Sequence, residues 1–183
     1  MNKPIDPKMD MTQDIDLVKD SKGVSWWFTD LKDINRELFK KYVQRHKFLD
    51  IGCGDGRIVS LAMSCGARRY QGVEIEDKFI QSSSMQRHIK NQDYREVNLT
   101  AYDVLFYFLG STESIPPKGE GEPEFVENLK DFKGTLIVYH RKIPHRLEKF
   151  QENLIAKGFQ EIESEGYLRM YSNLTKLEET NND

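Results

Sequence analysis

The run Phe48-Leu-Asp-Ile-Gly-Cys-Gly-Asp-Gly-Arg57 decides how the rest of the chain is read. Phe48 to Ile51 reads as a strand, and Ile58 to Met63 as an apolar helix that Gly66 ends. Gly52 to Gly56 joins the two directly. A glycine turn between strand and helix lets backbone approach a ligand closely, and the first N–H groups of the helix add positive partial charge. A second strand, Tyr70 to Val73, ends on Glu74, twenty residues after Gly54, where a carboxylate can accept hydrogen bonds from both hydroxyls of a ribose. An adenosine-containing cofactor is expected.

Glycine spacing narrows the choice. A dinucleotide fingerprint needs glycines at its first, third and sixth positions, and counting from Gly52 the sixth is Arg57, the third glycine having come one place early at Gly56. A phosphate-binding P-loop would need Gly-Lys-Ser/Thr to close the loop, and none follows.

Outward from this unit, Leu31, Ile34, Leu38, Phe39 and Tyr42 fall on one helical face, with Thr29 or Asp30 as N-cap. Asp77 is expected to cap a short helix reaching about Gln86, and a brief third strand to lie at His88 to Lys90. Val104 to Phe108 and Thr135 to Tyr139 read as strands buried on both faces. Between them, Gly110 to Pro123 forms a long polar loop followed by a short helix from Phe125 to Leu129. Pro144 opens a helix closed by Gly158, and Phe159 to Ile162 with Tyr167 to Tyr171 suggests a closing hairpin. The expected fold is α/β, Rossmann-like and doubly wound, with a mostly parallel sheet of about seven strands and a C-terminal antiparallel hairpin.

The chain has 183 residues, 38% hydrophobic and 31% charged, with a mean hydropathy of −0.68. That suits one compact domain with polar ends, here 23–174 between tails at 1–22 and 175–183. The net charge of −3 excludes a global cationic field for nucleic acid, so such a partner would need a local basic patch. Cys53 and Cys65 make neither a disulfide framework nor a zinc site, which fits a reduced, cytoplasmic setting without metal. The longest apolar run, Val104 to Leu109, is too short for a membrane span or a signal peptide.

The pattern GCGDG after a strand containing Asp50, with Glu74 ending the next strand, resembles motif I of the class I S-adenosylmethionine (SAM)-dependent methyltransferases. The resemblance runs from about Phe28 to Tyr171. It implies that Asp50 and the backbone of Gly52, Cys53, Gly54 and Gly56 hold the methionine moiety, that Glu74 holds the ribose, and that Ile75 covers one face of the adenine. It further implies that Asp93 meets the adenine amino group, with Tyr94 beside it, and that the product is S-adenosylhomocysteine. Cys53 is expected to fill a small space in the loop, since nothing nearby marks an activated thiolate.

A methyl group on a sulfonium is already activated, so alignment of an acceptor lone pair can do most of the catalytic work. The Asn-Pro-Pro-Tyr signature of base or glutamine amino methylation is absent after Val104 to Phe108. A closer resemblance is to the small protein-lysine methyltransferases, the broad-specificity archaeal enzymes and the enzyme acting on the ATP-synthase c subunit. It is carried by GDGRIV at 54–59, GVEI at 72–75, NLTAYDVL from Asn98, and GTLIV from Gly134 followed by Ile143-Pro144. It implies a protein lysine acceptor. The chain departs from that group at Trp26-Trp27-Phe28-Thr29-Asp30, which replaces a proline-containing segment. Trp26, Trp27, Phe106 and Tyr107 are candidates for cradling a cationic amine. The basic group Arg141, Lys142, His145, Arg146 and Lys149 could instead receive RNA, a phosphate or an acidic protein. RNA or small-molecule methylation, and a catalytically silent SAM-binding module, are the alternatives.

Overall fold

The computed structural model describes residues 18–19, 25–26, 28–109, 121–140 and 144–173. Seven strands form one sheet: β1 (Lys47–Ile51), β2 (Arg69–Glu74), β3 (Ile89–Asn91), β4 (Val104–Leu109), β5 (Thr135–His140), β6 (Phe159–Glu165) and β7 (Leu168–Asn173). Their spatial order is 3-2-1-4-5-7-6, parallel except for β7, which runs antiparallel to both β5 and β6. This is the expected doubly wound α/β sheet with its C-terminal hairpin. Val18–Lys19 and Ser25–Trp26 pair as a separate two-residue ribbon, so two residues of the expected 1–22 tail are in regular structure. The remainder of both expected tails lies outside the described residues.

Among the described residues, five α-helices flank the sheet: α1 (Arg36–Val43), α2 (Arg57–Ser64), α3 (Asp77–Ser82), α4 (Gly121–Asn128) and α5 (Pro144–Ala156). The central strands are buried on both faces, and successive residues feed opposite layers. Phe48, Phe106, Ile137 and Tyr139 pack with Phe39 of α1 and Ile58 and Leu61 of α2. Leu49, Leu105, Leu136 and Tyr171 pack with Phe125 of α4 and Phe150 of α5. Among the described residues no helix is long and apolar enough to cross a membrane.

Three elements differ from the sequence reading. The first helix is broken: Asp30 caps only a 3-10 turn, Leu31–Asp33, and Ile34 is extended. Asn35 caps α1 proper, accepting from the N–H groups of Glu37 (3.0 Å) and Leu38 (3.1 Å). Its amide also donates to the Glu165 carboxylate at 2.8 Å, fastening the start of α1 to the far hairpin. Next, α3 is one and a half turns long, with Glu76 rather than Asp77 at its N-cap and no side-chain cap bond. Finally, α4 starts at Gly121 and takes in Pro123, which its first turn tolerates because an N–H there has no partner within the helix. Residues 110–120 of the expected loop lie outside the described residues.

The β6–β7 pairing shifts register between Glu161 and Glu163. An extra residue in one strand reverses the side-chain alternation beyond it. Glu161 accordingly accepts from Gln151 of α5 at 2.9 Å, whereas Glu163 accepts from Lys41 of α1 at 2.6 Å and from Tyr42. One strand thus ties down both helical layers.

The entry to β5 is the tightest backbone approach. Thr135 N–H donates to the Asp103 carbonyl at 3.0 Å, and a Cβ built on Gly134 would lie 2.1 Å from that same oxygen. We predict that Gly134→Ala displaces the first rung of β5 and lowers stability by about 1–3 kcal/mol, the usual range for overpacking. Urea unfolding followed by circular dichroism measures this, and an unchanged midpoint would refute it.

Candidate functional site

β1 enters its turn through Gly52 (φ 68), Gly54 (φ 53) and Gly56 (φ 77), all left-handed. Residues with a Cβ occupy this region at a cost of about 1–2 kcal/mol, so the glycines let the chain reverse directly into α2. Two of the three are also packed from outside. A Cβ on Gly56 would lie 2.9 Å from Ile89 and Met85, and one on Gly54 would lie 2.6 Å from the ring of Phe28. A Cβ on Gly52 would meet nothing within 4 Å. The turn therefore has one open position, directly after β1.

The turn is bonded to β2. Gly52 and Cys53 N–H groups both donate to the Val73 carbonyl at 3.0 Å. Gly54 N–H donates to Oε2 of Glu74 at 2.8 Å, while Oε1 accepts from Ile75 (2.9 Å) and Glu76 (3.0 Å). Burial raises the Glu74 carboxyl above its ordinary range, against the lowering effect of these three donors. Ile75, the next residue, leaves 58% of its surface exposed and lines a groove of about 690 Å³ with Glu76, Asp77, Lys78, Gln81 and Ser82. An exposed apolar side chain beside a buried carboxylate offers a surface that an aromatic ring could cover.

Asp50 is 3% exposed, and its Oδ2 has no hydrogen-bond partner. Burial pushes its carboxyl well above the usual range, and the charges of Glu74 and Asp55 push in the same direction. A buried carboxylate left unpaired is costly, and a ligand cation would relieve that cost. The open face of Gly52, the unpartnered Asp50 oxygen and the exposed Ile75 fit the ammonium, backbone-contact and adenine requirements of a SAM-like cofactor. Cys53 has the expected filling role: a Cβ on Gly72 would come 2.4 Å from its sulfur. Burial and the neighbouring carboxylates push its thiol far above the ordinary range.

The remaining candidates are distributed differently. Asp93 follows β3 and caps the 3-10 turn Tyr94–Glu96, with Arg95 forked onto both of its oxygens. That partner holds its carboxyl below the ordinary range. Tyr94 packs edge-on against Phe125 at 5.8 Å. Phe106 is 1% exposed and packs on Phe39, which places it in the core rather than on an acceptor surface, whereas Tyr107 is half-buried and stacks on Phe125 at 4.1 Å. Trp27 and Arg141 lie outside the described residues, as do the side chains of Trp26 and His145.

Two features were not anticipated. Phe28 sits on the glycine turn, 5.5 Å from Phe79 and with the Arg57 guanidinium 4.6 Å from its ring centre. Arg57 also forks onto Asp55 and donates to the Thr29 carbonyl at 3.4 Å, pinning the N-terminal segment beside the turn. The sequence signal was the aromatic run ending at Phe28. The second is His140 at the carboxyl end of β5, whose buried Nε2 has no partner and whose imidazole burial pushes down to about 4. A cavity of about 750 Å³ is lined by Tyr42, Asp103, Val104, Lys133 and Thr135. Val104 and Thr135 begin β4 and β5, so it lies at the amino end of the sheet. Ligands of open α/β sheets bind at the carboxyl ends, which favours the glycine turn as the site.

No family model matches the sequence, and neither does any curated protein. The fold, however, is similar to those of solved SAM-dependent methyltransferases. A SAM-dependent methyltransferase from Aquifex aeolicus matches at 14% identity and a TM-score of 0.57, over 78% of this chain and 90% of that one. A ribosomal protein L11 methylase from Lactobacillus delbrueckii subsp. bulgaricus matches at 14% identity and 0.56, over 74% of each chain. A tRNA (uracil-54, C5)-methyltransferase from Pyrococcus abyssi, in complex with S-adenosyl-L-homocysteine, matches at 14% and 0.56, over 81% of this chain and 41% of that one.

Two predictions follow from the buried acids and the imidazole. Because Asp50 is raised, its contribution to folding is present below the unfolded carboxyl's range and lost as pH rises through the folded one. Asp50→Asn should therefore melt higher than the parent at neutral pH without ligand, and a lower melting temperature would contradict the account. His140 has the opposite sign: its lowered value gives stability present above about 6.5, the ordinary imidazole value, and lost as pH falls towards about 4. Proton NMR titration should place His140 near 4, and His140→Gln should flatten the acid side of the stability profile.

Proposed function

We propose that this chain is a SAM-dependent methyltransferase whose acceptor is a protein lysine amine. The observation that carries the donor assignment is the unpartnered, buried Asp50 oxygen, two residues before the open position at Gly52 and on the strand paired with the one that Glu74 ends. In this reading Asp50 meets the ammonium of the methionine moiety, and the Gly52–Gly56 backbone lies against it. Glu74 exchanges part of its backbone bonding for the ribose hydroxyls, and Ile75 covers the adenine. Asp93 is left as the acceptor for the adenine amino group, on lone pairs that its fork with Arg95 does not use. When bound, SAM would supply a methyl group on a sulfonium, which the lone pair of the lysine amine, once its ammonium proton has passed to water, can take as the carbon–sulfur electron pair leaves on sulfur.

The protein's own part is placement and desolvation. Gly52 brings backbone to the ligand without a side chain in the way, while Gly54 and Gly56 let the turn pack closely on Phe28, Met85 and Ile89. Asp50 and Glu74 are held in low-dielectric surroundings, where their attraction for a cation is strong. The lysine acceptor is supported by the resemblance of the segments at 54–59, 72–75 and 134–138 to small protein-lysine methyltransferases.

Calorimetry with SAM tests the donor. Wild-type protein should bind, and Glu74→Ala should weaken binding at least about tenfold, the scale of charge-assisted hydrogen bonds. Gly52→Ala should cost only about 1–2 kcal/mol of stability, because its Cβ meets no neighbour, yet it should block binding. Tritiated methyl transfer into a cell lysate then tests the acceptor: label should be protease-sensitive and located on lysine. RNase-sensitive or small-molecule label would replace the lysine reading, and binding without any transfer would make the chain a silent module.

A further inference from the structure

We infer that the acceptor amine is received at the carboxyl ends of β4 and β5, by the Asp33 carboxylate and the rings of Phe108 and Tyr167. This deepens the methyl-transfer reading above and rests on it. Tyr139, wholly buried, forms the floor of this corner. Phe108 stands edge-on to it at 5.1 Å and 62°, and Tyr167 at 6.1 Å and 71°, and both of these rings are half-buried. The Tyr139 hydroxyl donates to Oδ2 of Asp33 at 2.7 Å, so the carboxylate is held over the floor between the N-terminal segment and the sheet. Among the described residues Asp33 has no Lys or Arg partner. The backbone N–H of His140 donates to the Tyr167 carbonyl at 2.9 Å and fixes the β6–β7 turn against the end of β5.

The corner is next to the donor site. Phe108 pairs in register with Tyr139, and Ile51, the last residue of β1, pairs with Tyr107. Since β5 is two strands from β1, the two sites are about 10 Å apart across the sheet. The chain makes the same link, because Phe28 touches Gly54 and Asp33, five residues on, holds Tyr139. Five extended residues span at most about 18 Å.

A carboxylate held by Tyr139, against which the half-buried Phe108 and Tyr167 rings also pack, suits an ammonium or methylammonium group through charge attraction and cation–π contact. The same carboxylate repels the phosphates of a nucleic acid, which is why an amine is favoured over a nucleobase here. Asp33, Phe108 and Tyr167 contact the acceptor in this account, and Tyr139 positions Asp33.

The test is titration of the full chain, with and without S-adenosylhomocysteine, with n-butylammonium chloride and with n-butanol, monitored by aromatic NMR shifts. The ammonium should bind at least about fivefold more tightly than the alcohol. Asp33→Asn and Phe108→Leu should each remove that preference, and Tyr139→Phe, which keeps the ring, should reduce it. Circular dichroism melts identify any variant that fails to fold, in which case the other one decides. Equal binding of the two probes, a preference that survives Asp33→Asn, or an oligonucleotide shifting the same rings would overturn the inference. Calorimetry with S-adenosylhomocysteine reports separately on the donor reading: a chain that binds it but does not distinguish the two probes loses only the acceptor assignment.

Discussion

The bond from Gly54 N–H to the Glu74 carboxylate, at 2.8 Å, is the interaction on which the rest of the site depends. It joins the turn after β1 to the tip of β2, and it exists only because three consecutive alternate residues accept left-handed backbone. Close packing reinforces it. Gly72 admits the Cys53 sulfur, Gly56 admits Met85 and Ile89, and Gly54 admits Phe28. Gly54, Gly56 and Gly72 are thus pressed by protein, and the space over Gly52 is where the turn can still accept something else.

The electrostatics of that space are unbalanced. Asp50, Glu74 and Asp55 cluster at the ends of two strands, and the guanidinium of Arg57, at the start of α2, is spent on Asp55 and on the Thr29 carbonyl. Burial and mutual repulsion raise Asp50, so the ligand-free fold carries a strain that a cation would remove. Binding energy gained this way is local. It comes from charges whose desolvation the folding of the sheet has already enforced, so the site is organised before any ligand arrives.

The N-terminal segment links the two halves of the proposed chemistry. Phe28 lies on the glycine turn, Thr29 holds Arg57, and Asp33 holds Tyr139, so the segment crosses the carboxyl ends of β1, β4 and β5. The hairpin answers from the other side. Its bulge turns Glu163 and Glu165 towards α1, where Lys41, Tyr42 and Asn35 meet them, and Tyr167 is placed beside Tyr139 as a result of that register. The proposed donor and acceptor corners are held by elements more than a hundred residues apart in the chain.

Gly52, Gly54, Gly56, Asp50 and Glu74 were legible in the sequence because their signals are local. Positive φ demands glycine, and a strand of five residues followed by a tight turn leaves few places for the acids to go. The order of strands and helices was legible for the same reason, since each alternation of apolar run and glycine stop is encoded within about fifteen residues. The break at Ile34 was not legible: Asp30 and Asn35 both satisfy the rule for a cap, and only the burial of Ile34 and the bond from Asn35 to Glu165 separate them. The same holds for the aromatic residues of β4. Phe106, Tyr107 and Phe108 are alike as side chains, but their depth from the sheet's carboxyl edge and the helix layer each one faces are set by pairing with β1 and β5. Sequence alone determined the fold and the glycine turn, through backbone constraints acting over short distances. Which carboxylate and which rings meet at Tyr139, the proposed acceptor corner, was decided by strand register and packing between distant segments.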